Sequence, residues 1–226
     1  MKTVVISLGG SEIIPENVNS KYLKEFKKII LRNLKNYKIV VVCGGGSLAR
    51  TYIHAIESVG GNIYHQSLAG INATRANARF LSYFFGFDPE WGIPHKIRIL
   101  KKYLRKRNLV ICGGLAYKSN QTSDSTAATI AFKLNAQFIN LTNVKGLYDK
   151  DPKKFKNAKF VPKISWENFD KIVKKIKFKP GQHFVLDQEA SKIIMKNKIQ
   201  TYIMMNLKEL ETFFHGKNFI GTTIGE

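Results

Sequence analysis

The residues best able to do chemistry fall in three short turns. Gly9-Gly10-Ser11 follows the run TVVISL, and Gly44-Gly45-Gly46-Ser47 follows KIVVVC. Gly113-Gly114 follows NLVIC and opens a polar loop ending in Thr122-Ser123-Asp124. Each turn stands where an apolar, β-branched run gives way to a helical pattern, and ligands of parallel α/β sheets collect at such strand ends. Glycine there lets the backbone approach a phosphate, while the following helix offers unpaired N–H groups and the positive end of its dipole. Glycine is also common in turns that hold nothing, so it is the threefold recurrence that points to phosphate. Two charged side chains stand among the turns. Arg50 lies in the first turn after GGGS, where a cation opposes the helix dipole by up to about 1 kcal/mol unless an anion offsets it. Asp124 sits at a helix start, either as an N-cap or as a carboxylate that orients Mg²⁺ or a catalytic cation.

Other chemistries find no support. There is no GxxxxGK[ST] run, and GGGSLAR is not GxGxxG. Separate glycine turns serving separate phosphates are what a transferase for two phosphorylated ligands requires. The five histidines show no HxxxH or HxH spacing, with His54 expected on a helix surface and His183 in a loop. No GxSxG elbow marks a hydrolase. Cys43 and Cys112 lie far apart without metal-ligand spacing, against both a disulfide framework and a zinc site.

The elements that must position these residues alternate. Strands are expected over 3–8, 38–43, 108–112, 137–141 and 201–205. Helices are expected over 21–34, 47–59, 68–85, 96–107, 125–134, 166–176, 189–196 and 207–214. Segments 86–94 and 142–154 read as loops. Alternation of this kind implies an α/β fold with a mostly parallel sheet covered on both faces. The 226 residues carry 37 Lys+Arg against 16 Asp+Glu, a net charge of +21, with 44% hydrophobic residues. That apolar content belongs to a folded domain and not to a disordered basic tail. No run approaches the ~18 apolar residues of a membrane span, and the N-terminus lacks a signal-peptide core, so a cytoplasmic protein is expected. The lysine-rich stretches 101–108 and 171–177 place their charges between apolar helical positions, as solvated faces and not as a nucleic-acid surface.

Six motifs occur in order: VISLGGS, VVVCGGGSLARTYI, GINATRANA, LTNVKGLYDKDPKK, VLDQEASKII and GTTIGE. Together they resemble the archaeal type of uridylate kinase, a branch of the amino acid kinase superfamily, over almost the whole chain. The resemblance implies a three-layer αβα sandwich and the reaction ATP + UMP → ADP + UDP with Mg²⁺. It implies one domain, 1–226, with an acceptor-binding lobe to about residue 135 and an ATP-binding lobe beyond, assembled as a hexamer from three dimers. Carried over by motif, Gly9, Gly10 and Ser11 would cradle the transferring phosphate of ATP, and Gly46 and Arg50 would contact the ATP phosphates. Gly45 would meet the UMP phosphate, Ser67 the UMP ribose, and Gly114 with the loop ending at Thr122-Ser123 would close over UMP. Thr142, Tyr148 and Asp151 would hold the base and ribose of ATP, and Arg50 and Asp124 would be catalytic. The chain departs from the family's pattern in several places. Ser7 stands where the superfamily often has Lys, and Ser67 where Asp is common. Lys145 replaces the Asp of NVDG, DQEAS replaces DPLAA, and loop 115–123 is longer than usual without the family's Gly and Pro. The alternatives are a kinase of this fold with another acceptor (a different nucleoside monophosphate, isopentenyl phosphate or a carboxylate) and a non-catalytic nucleotide-binding homologue.

Overall fold

The computed structural model describes residues 1–118, 121–150, 152, 155–175 and 186–225. Asp151 and His183 lie outside the described residues. The chain runs β1 (Lys2–Leu8), α1 (Gly10–Ile13), α2 (Ser20–Asn33), β2 (Tyr37–Cys43), α3 (Gly46–Ser58) and α4 (Ile63–Phe84). A 3-10 turn at Pro89–Trp91 precedes α5 (Ile97–Lys106), β3 (Leu109–Cys112), α6 (Ser123–Leu134) and β4 (Gln137–Leu141). Short strands β5 (Leu147–Tyr148), β6 (Phe160–Val161) and β7 (Lys163–Ile164) lead to α7 (Trp166–Lys175) and α8 (Gln188–Lys196). The chain ends with β8 (Thr201–Met204), α9 (Leu207–Phe214) and β9 (Gly221–Ile224).

Seven strands form one sheet in the order β3-β2-β1-β4-β8-β9-β7, parallel except where β8 meets β9. Strand residues alternate strictly between its two faces, as a period of two demands. Val5, Val40, Val42 and Phe138 pack under α5, α6, α7 and α8. Val4, Ile6, Ile39, Val41 and Ile139 pack under α2, α4 and α9. The result is a three-layer αβα sandwich with an apolar core on each side of the sheet. Cys43 and Cys112 are free thiols buried at the ends of neighbouring strands.

The differences from the sequence reading have local causes. Helix α4 begins five residues before the expected Leu68, because the Asn62 side chain accepts the His65 N–H and caps it there. Segment 142–154, expected as a loop, contains β5, whose Leu147 is buried and donates its N–H to Thr222 Oγ1 at 2.8 Å. The segment GTTI forms β9, which pairs antiparallel with β8 and parallel with β7. Two-residue strands carry no periodicity, and a chain-terminal strand has no following turn to mark it.

Candidate active site

The strand register brings the glycine turns together. Leu8 pairs with both Cys43 and Leu141, and Val42 pairs with Cys112, so four strands end on one edge of the sheet. Turns one and two touch backbone to backbone. A Cβ on Gly10 would stand 2.1 Å from Gly46 N, and one on Gly46, at φ +58°, 2.6 Å from Gly10 C. No side chain fits either position. Turn three closes on α4: a Cβ on Gly113 would stand 2.5 Å from Thr74 C. Gly9 differs, since a Cβ there would meet nothing nearer than 3.7 Å. Helix α3 starts from Gly45 with no side-chain cap, which leaves its first-turn N–H groups for an anion.

Helix α4 organises the flank beside turns two and three. Its Asn77 is buried and donates to the carbonyls of Gly44 (2.8 Å) and Gly45 (3.3 Å). Thr74 Oγ1 accepts the Gly114 N–H at 2.7 Å. Arg75 donates Nε–H to Gly114 O at 2.9 Å and a terminal N–H to Leu115 O at 2.7 Å. Burial pulls the Arg75 pKa below the ordinary arginine value. Thus one face of α4 fixes the end of β3 and the start of the 115–121 loop. Ser67, seven residues back along α4, donates its hydroxyl to Ile63 O at 2.8 Å.

A pair of carboxylates lies at the start of α6. Thr122, not Asp124, is the N-cap there, forming a capping box with Ser125. Asp124 instead sits inside the first turn and accepts the Ser7 hydroxyl at 2.7 Å. Asp187 caps α8 by accepting the Ala190 N–H at 2.9 Å, and it also accepts the Thr122 hydroxyl. Burial first, and then the neighbouring Asp187 charge, push the Asp124 carboxyl up to about 7, while the Ser7 hydrogen bond pulls the other way. The surface leaves part of Asp124 open to solvent.

A model of the amino acid kinase family matches residues 2–205. The chain belongs to the amino acid kinase family. Among its members, the uridylate kinase of Thermococcus kodakarensis is 33% identical over 202 residues, covering 89% of each chain. That of Thermoplasma volcanium is 32% identical over 228 residues, covering 100% of this chain and 98% of the relative. The crystal structure of uridylate kinase from Archaeoglobus fulgidus superposes with a TM-score of 0.87 at 32% identity, covering 100% of both chains.

Within this family fold, Gly9, Gly10, Ser11, Gly45, Gly46, Gly114, Thr122, Ser123 and Asp124 all lie at the same sheet edge, in the turns and caps after β1, β2 and β3. Arg50 is the fifth residue of α3, one position further along than expected, because the helix begins at Gly46. It is exposed and makes no hydrogen bond or ion pair among the described residues. Thr142 follows β4, its N–H bonded to Met204 O at 3.1 Å, and Tyr148 in β5 packs edge-on to Phe160 at 5.6 Å. Sequence reasoning assigned nothing to Thr74, Arg75, Asn77 or Asp187. The first three were visible as polar residues recurring within a helix, and Asp187 as an N-cap type opening α8; their partners were not.

Proposed function

We propose that this protein is a uridylate kinase, transferring the γ-phosphate of ATP to UMP. The observation that carries the reading is the junction of Gly9-Gly10 with Gly44–Gly46: two glycine turns in backbone contact, flanked by an uncapped helix start and by α4. Full-length similarity to uridylate kinases supplies the substrate pair.

Phosphoryl transfer asks for alignment and charge neutralisation more than for covalent chemistry. In this reading the donor phosphates lie on Gly9, Gly10 and Gly46, and the UMP phosphate on Gly45. Backbone N–H groups of the two turns hold both, and Arg50, unpaired among the described residues, takes up the charge that develops between them. A phosphate monoester oxygen is already nucleophilic near neutral pH, so no side chain need act as base. Magnesium enters with ATP. Asp124 and Asp187 are the neighbouring carboxylates that would hold it, and it would supply charge neutralisation to the phosphates. In this reading Ser67, Gly114, Thr122 and Ser123 serve UMP and Thr142 and Tyr148 serve the nucleoside of ATP, a role that the resemblance also assigns to Asp151. The lobes divide near residue 135, and the activity belongs to cytoplasmic pyrimidine nucleotide synthesis.

A homo-oligomer, the hexamer of three dimers, suits the surface of α3 and α4. Helix α3 buries no residue, and Tyr52, Val59 and Ile63 stand exposed around the α3–α4 turn, Val59 at 80% and Ile63 at 72%. Sedimentation should give six chains, and a monomer at micromolar concentration would refute the assembly. For the activity itself, ADP release should require UMP and fall about 100-fold or more in Arg50→Ala, the scale of one lost transition-state contact. An unaffected Arg50→Ala would remove Arg50 from the mechanism.

A further inference from the structure

Residues 114–117 are fastened to α4 at two places. The first is the Thr74 and Arg75 bonding to Gly114 and Leu115. The second is aromatic: the Tyr117 ring stands edge-on against Tyr64 with centroids 4.8 Å apart at 88°. Tyr64, Ser67, Ile71 and Thr74 follow one another at spacings of three, four and three, so they share one face of α4. From Thr74 to Tyr64 that face runs about 15 Å. Three residue steps from Gly114 to Tyr117 reach about 10 Å, and the tyrosine side chain covers the remainder. Residues 114–117 therefore run along this face from Thr74 and Ile71 to Tyr64.

We propose that the Tyr64–Tyr117 pair positions the acceptor loop and closes the nucleoside end of the acceptor subsite, thereby setting acceptor affinity. The inference rests on the uridylate kinase reading, which puts the acceptor phosphate at Gly45 and its nucleoside along α4. Thr74 marks the phosphate end, since a Cβ on Gly45 would stand 3.5 Å from Thr74 Cγ2. Ser67 lies about 10 Å further along, which is the length from a nucleotide phosphate to its sugar and base. The Ser67 hydroxyl proton is committed to Ile63 O, and Gly70 and Ile71 offer no polar group. The surface left to enclose a nucleoside is the aromatic pair. Its rings remain open to solvent, Tyr64 at 49% and Tyr117 at 36%, so each holds the other while leaving ring surface free. An edge-to-face contact of this kind is directional and couples loop to helix without burying either.

The test is steady-state kinetics of the full-length protein, with UMP and ATP varied separately, for Tyr64→Ala, Tyr117→Ala, the double variant, and the Phe variants at both positions. Exposed substitutions such as these leave folding intact, which thermal melts verify. Loss of one aromatic pair corresponds to about 2- to 12-fold. The KM for UMP should rise by that factor in each Ala variant, with kcat and the KM for ATP unchanged. The double variant should be no worse than either single one, and both Phe variants should match the parent. An unchanged KM for UMP, or equal rises in both KM values, overturns the proposal. Wild-type protein that turns over ATP with no nucleotide acceptor would instead overturn the uridylate kinase reading beneath it.

Discussion

At the residue scale, the glycines divide by what demands them. Gly10 and Gly46 are required by the fold, because any side chain would enter the facing backbone. Gly9 is not so constrained, since its surroundings hold a Cβ at ordinary contact distance. Gly9→Ala should therefore melt within a few degrees of the parent yet lose most phosphoryl transfer, because the methyl occupies space assigned to phosphate. Gly10→Ala should lose several kcal/mol of stability, in the range of severe overpacking. Equal activity in Gly9→Ala and parent would mean that no ligand approaches there. Asp124 adds a pH signature. Its carboxyl titrates near 7 in the folded protein against an ordinary 3.8, so the folded state binds the proton more tightly and stability falls as pH rises between those values. The ligand-free protein should lose melting temperature from pH 4 to pH 7 more steeply than Asp124→Asn, which has no carboxyl to ionise. Parallel slopes in the two proteins would contradict this. Gly9, Gly10 and Asp124 are legible as residue types in strand-end turns, and Ser7 as a departure from the family pattern within the first strand. That Asp187 would stand beside Asp124 is not, because nothing local in a sequence pairs groups 63 positions apart.

At the element scale, the long periodic segments could be read directly and the ends could not. Strands β1, β2, β4 and β8 are runs of buried apolar residues bounded by turns, and helices α2 and α9 place Leu, Phe and Ile at helical spacing. Helix starts follow caps, and caps compete. Asn62 moves α4 forward and Thr122 displaces Asp124 at α6, each through a side-chain acceptor that periodicity does not register. Helix α4 is the element on which the site depends most, since a single guanidinium ties Gly114 and Leu115 to it through their carbonyls. Arg75→Ala removes both bonds, and one hydrogen bond to a charged group contributes about 1.5–3 kcal/mol. The variant should lose at least about that much stability, seen as a lower melting temperature, and bind UMP more weakly while its KM for ATP holds. A loss confined to ATP would place the loop on the wrong side of the reaction.

At the scale of the whole molecule, the sandwich was readable because alternating strands and helices admit few arrangements. The exceptions are β9 with β7, which run against the other strands, and the small β5–β6 ribbon, which the Thr222 side chain of β9 ties to the sheet by accepting from Leu147 and donating to Val161 O at 2.6 Å. The net charge of +21 is carried mostly on outer faces. In α5, Lys101, Lys102, Arg105 and Lys106 are exposed while Leu100 and Leu104 face the core. A field of that sign draws anionic nucleotides toward the protein and weakens with salt, but it does not choose among them. Choice of acceptor belongs to the α4 face and the loop above it. The most direct test of the account is therefore ADP formation by wild-type protein across UMP, CMP, AMP, GMP, isopentenyl phosphate and carboxylate acceptors. The account predicts the highest kcat/KM for UMP, by about tenfold or more, the discrimination that one or two polar contacts provide. A higher kcat/KM for any other acceptor, or ADP formation indifferent to acceptor, would contradict it.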